Sequence, residues 1–441
     1  MSNLAAVVMA GGLGTRMKSA VPKHLHPLLG KRVVDWVLDA ARESGAERVV
    51  VVASPDTRDA YDGQEVEVAV QVQPRGTGDA VASAQPALQG FDGDVLVLDA
   101  AAPLLTSELL REFVEEHRNG GADVTILSIE PDQPLPYGRI IRAEDGSVRE
   151  IVEERDASPE QTAVRELNSS IYVFDANALR DALGKLDARN AQGELYLTDT
   201  IAHIVGAGGS AQAWRSPDSL SPIGINNRAE LAQAAAELRD RINEAHMLAG
   251  VTIVDPKTTW IDAGVELETD VVVHPFTVLR GRTSAASGAE IGPHAVAVDA
   301  TIGQRVSIGP FCYLRPGTVL DPDAKAGTFV EIKNSRIGAG TKIPHLSYIG
   351  DADIGDGTNI AAGNITANFP HTPGEPKGRT TIGSNVRTGI HNGFVAPVEV
   401  GDDAWIAAGS VITKDVPPGA LGVARARQEN KEGYARRQSD D

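Results

Sequence analysis

The sequence is poor in what would tie it to an oxidising compartment, a membrane or a nucleic acid. Cys312 is its only cysteine, so no disulfide can form within the chain. No apolar run approaches the roughly 18 residues of a membrane span. Asp and Glu outnumber Lys and Arg by 60 to 41, and the resulting net charge of −19 repels phosphate backbones and anionic headgroups. Nucleic acid and membrane are thereby excluded as expected partners, which leaves small ligands. The opening "MSNLAAVVMAGG" lacks the charged and apolar regions of a signal peptide, so a cytoplasmic protein is expected. Aromatic residues are scarce as well, at 4 Trp, 7 Tyr and 8 Phe. Against these stand 45 Gly and 25 Pro, which point to many tight turns around cores of Val, Ile, Leu and Ala. A chain of 441 residues has room for two or three such cores.

Hydropathy divides the chain into three segments. In residues 1–227, the apolar runs "AAVVMA" (5–10), "RVVVVA" (48–53), "VLVLD" (95–99) and "VTILSI" (124–129) alternate with the helical patterns "VVDWVLDAARESG" and "SELLREFVEEHRNGG". Strands spaced by helices predict an α/β unit with a mostly parallel, doubly wound, Rossmann-like sheet that binds ligands beyond the carboxyl ends of its strands. In residues 228–249, Leu231, Ala235, Leu238, Ile242 and Ala245 recur at helical spacing, and Asn226 or Asn227 can cap the linking helix they predict. From residue 250 to 441 the period becomes six. Ile261, Leu267, Val273, Leu279 and Ile291 keep one phase, Ile302, Ile308, Leu314 and Leu320 a second, and Ile382, Phe394, Val400, Ile406 and Ile412 a third. A hexapeptide repeat of aliphatic residues, commonly followed by glycine, predicts a parallel β-helix. The beat breaks at "ANFPHTPGEPKGRT" between Thr366 and Ile382, where Pro and Gly predict a projecting loop.

Two stretches carry chemistry. The first strand runs into "MAGGLGTRM" with "VPKHLH" behind it, so that Gly11, Gly12 and Gly14 let backbone amides approach a phosphate while Arg16 and Lys23 add positive charge. In the repeat, His345 and Tyr348 accompany Arg315 and Lys333. That set suits a phosphorylated amino sugar, with cations for the phosphate and a neutral imidazole to take a proton from the amine.

The Gly-x-Gly-Thr-Arg loop with its following Pro-Lys resembles the signature of sugar-1-phosphate nucleotidyltransferases. With "QVQPRGTGDAV", "YGRI", "IVEERDAS", "ELNSSIYVF", "GELYLTD" and "GINNR" following in order, nearly the whole chain is similar to the bifunctional N-acetylglucosamine-1-phosphate uridyltransferase/glucosamine-1-phosphate acetyltransferases. The resemblance implies a left-handed β-helix, synthesis of UDP-N-acetylglucosamine for bacterial cell walls from UTP and acetyl-CoA with Mg2+, and a homotrimer. It places Met9, Ala10, Gly11, Gly12, Lys23, Gln71, Gly76 and Thr77 at the uridine nucleotide, and Gly138, Glu153 and Asn168 at the sugar. Arg16 and Lys23 would stabilise charge at the α-phosphorus. Asn226 would be a metal ligand. In the repeat it makes His345 the general base, with Arg315, Lys333, Tyr348 and Asn359 around the acceptor and Ala362, Ala408 and Arg425 against acetyl-CoA.

The chain departs from that pattern in three places. Where relatives read Gly-Asp-x-Pro-Leu, with the aspartate on magnesium, this chain has Ala100-Ala101-Ala102-Pro103-Leu104. Asp99 points to the same face as Ala101, but two residues of extended strand would displace it by roughly 6 to 7 Å. One expectation is therefore a slowed uridyl transfer, and the other is that Asp99 or Glu153 reaches the ion through water. Relatives carry Asn-Tyr-Asp-Gly and a nearby lysine, whereas here Asn368-Phe369-Pro370-His371 leads to Lys377 after a longer loop. Ile390 takes the place of a serine that touches the cofactor. These departures leave two other readings open: a nucleotidyltransferase/acetyltransferase for a different sugar, or a regulatory protein that binds sugar nucleotides at an inactive N-terminal site. Cys312 is expected in the core.

Overall fold

The computed structural model describes residues 3–12, 14–133, 135–370, 372 and 374–435. Leu13 of the glycine-rich loop and His371 of the projecting loop lie outside the described residues. The chain divides into two compact units, Met1–Leu238 and Arg239–Asp441, each with its own core.

The first unit is built on a sheet whose main path runs Ala211–Arg215, Val124–Ile129, Leu167–Asp175, Asp94–Asp99, Leu4–Ala10, Arg48–Ala53, Glu67–Val70. Leu4–Ala10 pairs in parallel with both Asp94–Asp99 and Arg48–Ala53, which sets Met9 beside Asp99 at the strands' carboxyl ends. Leu167–Asp175 is antiparallel to both of its neighbours, so the sheet is mixed at that strand. Strand residues alternate between the two faces. Leu4, Ala6, Val8 and Ala10 join one apolar cluster with helices Val33–Glu43 and Ser107–Gly120, while Ala5 and Val7 join another with Thr77–Ser83, Ala176–Leu183 and Asp199–Gly206. Both faces are therefore covered, as the near-continuous apolar runs require. Thr106 caps Ser107–Gly120 by accepting the Leu109 amide at 3.2 Å, and Gly121 ends it in the left-handed region at φ 62°.

The helix Arg228–Leu248 begins at Asn227, whose Oδ1 accepts the amides of Ala229 (2.9 Å) and Glu230 (3.0 Å). Capping thus falls to Asn227, while the Asn226 side chain bonds elsewhere. Leu231, Ala234, Ala235 and Leu238 pack with Met17, Leu28, Val33, Leu104 and Ile225 in the first unit.

The second unit is a three-faced parallel β-helix of two- to four-residue strands in stacked sheets, consistent with the left-handed form. All the repeat positions singled out in the sequence point inward except Leu267, which is half-buried against the same core. The change of phase has a local cause. Most steps between inward residues span six positions, but Ala297 to Ile302, Ile332 to Ile337 and Ile349 to Ile354 span five, so one corner of those coils is a residue tighter. At another corner Phe276, His294, Phe311 and Phe329 all have φ between 55° and 60°, and their rings stack with centroids 4.7, 4.8 and 5.2 Å apart. Cys312 is buried in the solenoid core, and burial pushes its thiol up to about 12. Strands Ile365–Ala367 and Thr380–Ile382 bracket the projecting loop, whose base is closed by the Gly378 amide on the Asn368 carbonyl at 3.0 Å. No helix among the described residues is long and apolar enough to cross a membrane.

Two candidate reaction centres

In the first unit, the carboxyl ends of Leu4–Ala10 and Asp94–Asp99 open onto the glycine-rich loop. Gly14 adopts φ 58° and starts a single turn, Thr15–Met17, in which the Met17 amide reaches the Gly14 carbonyl at 3.0 Å. A Cβ on Gly14 would stand 2.6 Å from the Lys23 Cβ, so the absence of a side chain lets Lys23 lie against the loop. A Cβ on Gly12 would meet nothing among the described residues within 4 Å, which leaves space beside the backbone. Gly11 is covered by Gln71, whose Oε1 would be 2.5 Å from a Cβ there. Gln71 is held in turn by Gly76 and Asp79, and the Thr77 Oγ1 accepts the Leu197 amide at 3.0 Å. The loop, Gln71, Gly76 and Thr77 therefore form one connected wall.

Arg16 donates from Nη2 to the Asn226 Oδ1 at 2.9 Å, joining the loop to "GINNR". At Ala101 the chain is turned and not extended. The strand ends at Asp99 and the chain turns there, with the Ala102 amide on the Asp99 carbonyl at 3.2 Å. The Asp99 side chain folds forward over this turn, so that its Oδ1 accepts the Ala101 amide at 3.0 Å. Its Oδ2 faces Gly224, where a Cβ would stand 2.8 Å away. Gly224 is two residues before Asn226, whose Nδ2 donates to the Gly224 carbonyl at 3.2 Å. Ala101 is fully buried, and its carbonyl takes the Ile225 amide at 2.8 Å. Burial and then the Asp99 charge push Tyr137 of "YGRI" up to about 12, with its hydroxyl 3.5 Å from the Gly224 carbonyl. His24 is buried beside Tyr61, its Nε2 has no hydrogen-bond partner among the described residues, and burial, reinforced by Lys23, lowers it to about 4.

The positions that the resemblance assigns to the sugar also come together. The Asn168 amide donates to the Gly138 carbonyl at 2.8 Å, and the Asn168 Nδ2 reaches the Tyr172 hydroxyl at 2.7 Å. Glu153 accepts the Thr198 hydroxyl at 3.0 Å, and burial raises it above the usual carboxylate range. The structure thus sets Glu153 with Thr198 and within the electrostatic reach of Tyr172. Asp79 and Tyr137 stood inside quoted motifs but were not singled out. The signal for Asp79 was an acid four residues after Arg75, the spacing of a helical ion pair.

In the second unit, Arg315 follows Tyr313–Leu314, and register places it over Lys333 in the next coil and Gly350 in the one beyond. The Tyr348 ring folds across Gly350, where no Cβ could stand. Arg315 is paired with Glu331 at 2.9 Å. Lys377 returns from the long loop to Lys333, whose hydrogen bond and then whose like charge hold it below the usual lysine range. Asp351 sits under both. Burial opposes its ionisation, but donation from Asn334 and Asn368 and the charges of Lys333 and Lys377 bring it below the usual carboxylate range. The longer loop thus brings Lys377 beside Lys333, and two neighbouring ammonium groups favour an anion between them. Phe369 is exposed at the loop and Asn368 is buried at its base.

His345, Ala362, Ile390 and Ala408 occupy one corner in successive coils. The amides of Gly363, His391 and Gly409 donate to the carbonyls of His345 (3.4 Å), Ala362 (2.8 Å) and Ile390 (2.8 Å). Arg425 extends the line, 3.8 Å from where a Cβ on Gly409 would stand. At about 4.8 Å per coil, His345 and Ala408 are roughly 14 Å apart along the edge, a reach suited to an extended cofactor arm. His345 is exposed, and its ring makes no hydrogen bond among the described residues. Asn359 lies apart from this corner, in register with Lys342 and Arg387 on the preceding face.

A MobA-like NTP transferase domain model matches residues 6–187. The chain is 48% identical over 456 residues to the bifunctional protein GlmU of Streptomyces coelicolor, covering 98% of this chain and 94% of that one. It is 45% identical over 463 residues to the GlmU of Mycolicibacterium gilvum (99% and 92% covered) and 44% identical over 459 residues to that of Mycobacterium bovis (98% and 92%).

Proposed function

Since the chain belongs to the GlmU family of bifunctional proteins, we infer that it makes UDP-N-acetylglucosamine at two centres. The observation that carries this reading is similarity across both units at once, at 48% identity over 98% of the chain. At the second unit, the amine of glucosamine-1-phosphate attacks the thioester carbonyl of acetyl-CoA, His345 takes the amine proton, and CoA leaves as its thiol. Arg315, Lys333 and Lys377 hold the sugar phosphate, with Tyr348, Asn359, Asn368 and Phe369 around the acceptor. Ala362, Ile390, Ala408 and Arg425 line the cofactor. At the first unit, the phosphate oxygen of N-acetylglucosamine-1-phosphate attacks the α-phosphorus of UTP and pyrophosphate leaves. Met9 to Gly12, Lys23, Gln71, Gly76 and Thr77 face the nucleotide, and Gly138, Glu153 and Asn168 face the sugar. Arg16 and Lys23 neutralise the developing charge. The preserved phosphate loop and cation pair disfavour a regulatory protein or a different sugar.

The oxygen donors present suit magnesium. Asp99 offers a carboxylate oxygen with no hydrogen bond among the described residues, and Asn226 offers an amide oxygen that also accepts from Arg16 at 2.9 Å. Among the described residues no cluster of three His, Cys, Asp or Glu forms a complete cage, which accords with an ion that shares its ligands with nucleotide phosphates and water. Asp99 would thus stand in for the carboxylate missing at Ala101. Bound there, magnesium would supply neutralisation of phosphate charge. We also propose a cytoplasmic homotrimer, a reading supported by the exposed ring stack of Phe276, Phe311 and Phe329, with light scattering expected to return three chains per particle.

The test is two separate assays: pyrophosphate from UTP plus N-acetylglucosamine-1-phosphate, and free CoA from acetyl-CoA plus glucosamine-1-phosphate. Both products should form. His345→Ala should abolish CoA release and leave pyrophosphate release intact, and undiminished CoA release would remove His345 as the base.

A further inference from the structure

Gln71 sits at the end of the strand Glu67–Val70, is 4% exposed, and has its side chain fixed from one side only. Its Nε2 donates to the Asp79 Oδ2 at 2.9 Å and to the Gly76 carbonyl at 3.1 Å. Those two bonds use both hydrogens of the amide nitrogen. The orientation follows from chemistry and not from the placing of nitrogen and oxygen atoms. A backbone carbonyl can only accept, and the Asp79 carboxylate, held on its other oxygen by the Arg75 guanidinium at 2.6 and 3.1 Å, also accepts. A flipped Gln71 would set its oxygen against two acceptors. The Oε1 is left over Gly11 with no hydrogen bond among the described residues. At this position the wall of the nucleotide pocket can therefore accept a hydrogen bond but cannot donate one.

We propose that Asp79 is a positioning residue for base selection. By locking the Gln71 amide it presents only an acceptor to the base, so the pocket takes a pyrimidine whose ring nitrogen carries a hydrogen, as uracil does at N3, and rejects cytosine, whose N3 is itself an acceptor. This rests on the reading of the first unit as a uridine-nucleotide site and adds the device by which the base is chosen. Asp79 is 7% exposed and need not touch the nucleotide, since its effect passes through Gln71. Arg75 serves the same lock from the solvent side. A site organised around one hydrogen bond discriminates strongly, because the wrong base leaves a buried acceptor facing another acceptor.

The experiment measures UTP and CTP binding by calorimetry and kcat/KM for both nucleotides, on the full-length parent, Asp79→Asn and Asp79→Glu. The parent should prefer UTP by at least 100-fold. Asn at 79 can turn its amide nitrogen toward Gln71 and its oxygen toward Arg75, which removes one of the two acceptors that fix Gln71 and leaves only the Gly76 carbonyl, so UTP-over-CTP preference should fall at least tenfold, through a higher KM for UTP and a lower one for CTP. Asp79→Glu, which keeps an acceptor-only group, should stay within threefold of the parent's preference. A purely structural role would lower both nucleotides together and leave the ratio unmoved. An unchanged ratio in Asp79→Asn overturns the proposal while UTP turnover still upholds the uridyltransferase reading. Equal binding of UTP and CTP by the parent overturns it without any variant, and a parent that binds neither nucleotide overturns both.

Discussion

The Asp99 carboxylate bends back onto its own chain to accept the Ala101 amide at 3.0 Å, leaving its second oxygen directed at Gly224. A carboxylate two residues upstream thus lies against the turn that carries Ala101. If it serves the metal, Asp99→Asn should slow pyrophosphate release by two or more orders of magnitude, since a catalytic ion contributes several kcal/mol and roughly 1.4 kcal/mol is tenfold. Adding Ala101→Asp to that variant should recover at least tenfold. Manganese binding in the presence of UTP, followed by electron paramagnetic resonance, should weaken and recover in parallel. A rate for Asp99→Asn within threefold of the parent would show that the carboxylate is dispensable.

The corner that carries His345, Ala362, Ile390 and Ala408 has an exposed isoleucine where a hydroxyl could bond the cofactor. Ile390→Ser should lower the KM for acetyl-CoA by about fivefold, the equivalent of one neutral hydrogen bond of about 1 kcal/mol, with kcat little changed. A KM that stays put or rises would place the cofactor elsewhere on the edge.

His24 titrates at about 4 when folded, against an ordinary value near 6.5, because burial and Lys23 disfavour its charged form. The unfolded chain then binds the proton first. The stabilising difference is complete above pH 6.5 and is lost as the pH falls from there toward 4, amounting to on the order of 3 kcal/mol across the window. Urea unfolding of the first unit should weaken by about 2 kcal/mol between pH 7 and pH 5. His24→Gln should flatten that slope, and an identical slope in the variant would assign it to other groups.

Gly14 lies at φ 58° with Lys23 where its Cβ would be. Gly14→Ala should cost about 1 to 2 kcal/mol of stability from the backbone alone. It should also raise the KM for UTP by pushing Lys23 off the loop. A normal KM in a destabilised protein would separate Lys23 from phosphate binding.

Much of this was legible in the chain. Strands 48–53 and 124–129 and the helix Arg228–Leu248 appear where apolar spacing put them, because burial on one or both faces writes itself into periodicity. The hexapeptide beat revealed the solenoid for the same reason. Leu167–Asp175 escaped notice as a strand because its direction depends on partners far away in sequence, and no local pattern encodes that. The three phases of the repeat read as separate blocks, and it is the five-residue corners together with the projecting loop before Ile382 that join them. At the site, residue identity named Arg16, Asn226 and Lys377, but what each one faces was not readable. The turn that follows Asp99 was not legible, because nothing in the apolar run marks where its extended conformation ends. The Asp79 lock depends on an amide whose two ends look alike in a letter code.

The last turns of the helix Arg228–Leu248 lie against the first coil of the solenoid. Ile242 packs on the solenoid core, Asn243 donates to the carbonyls of Pro256 (2.9 Å) and Thr259 (3.0 Å), and Arg239 lies over the Trp260 ring. A stack of parallel strands is an open template, and whatever first strand it exposes can be extended by another chain. The helix acts as a stopper against such end-to-end growth. A gene fragment intended to yield the acetyl-transferring half alone should therefore begin near residue 238, because one beginning at 250 would present a bare rung and be prone to polymerise.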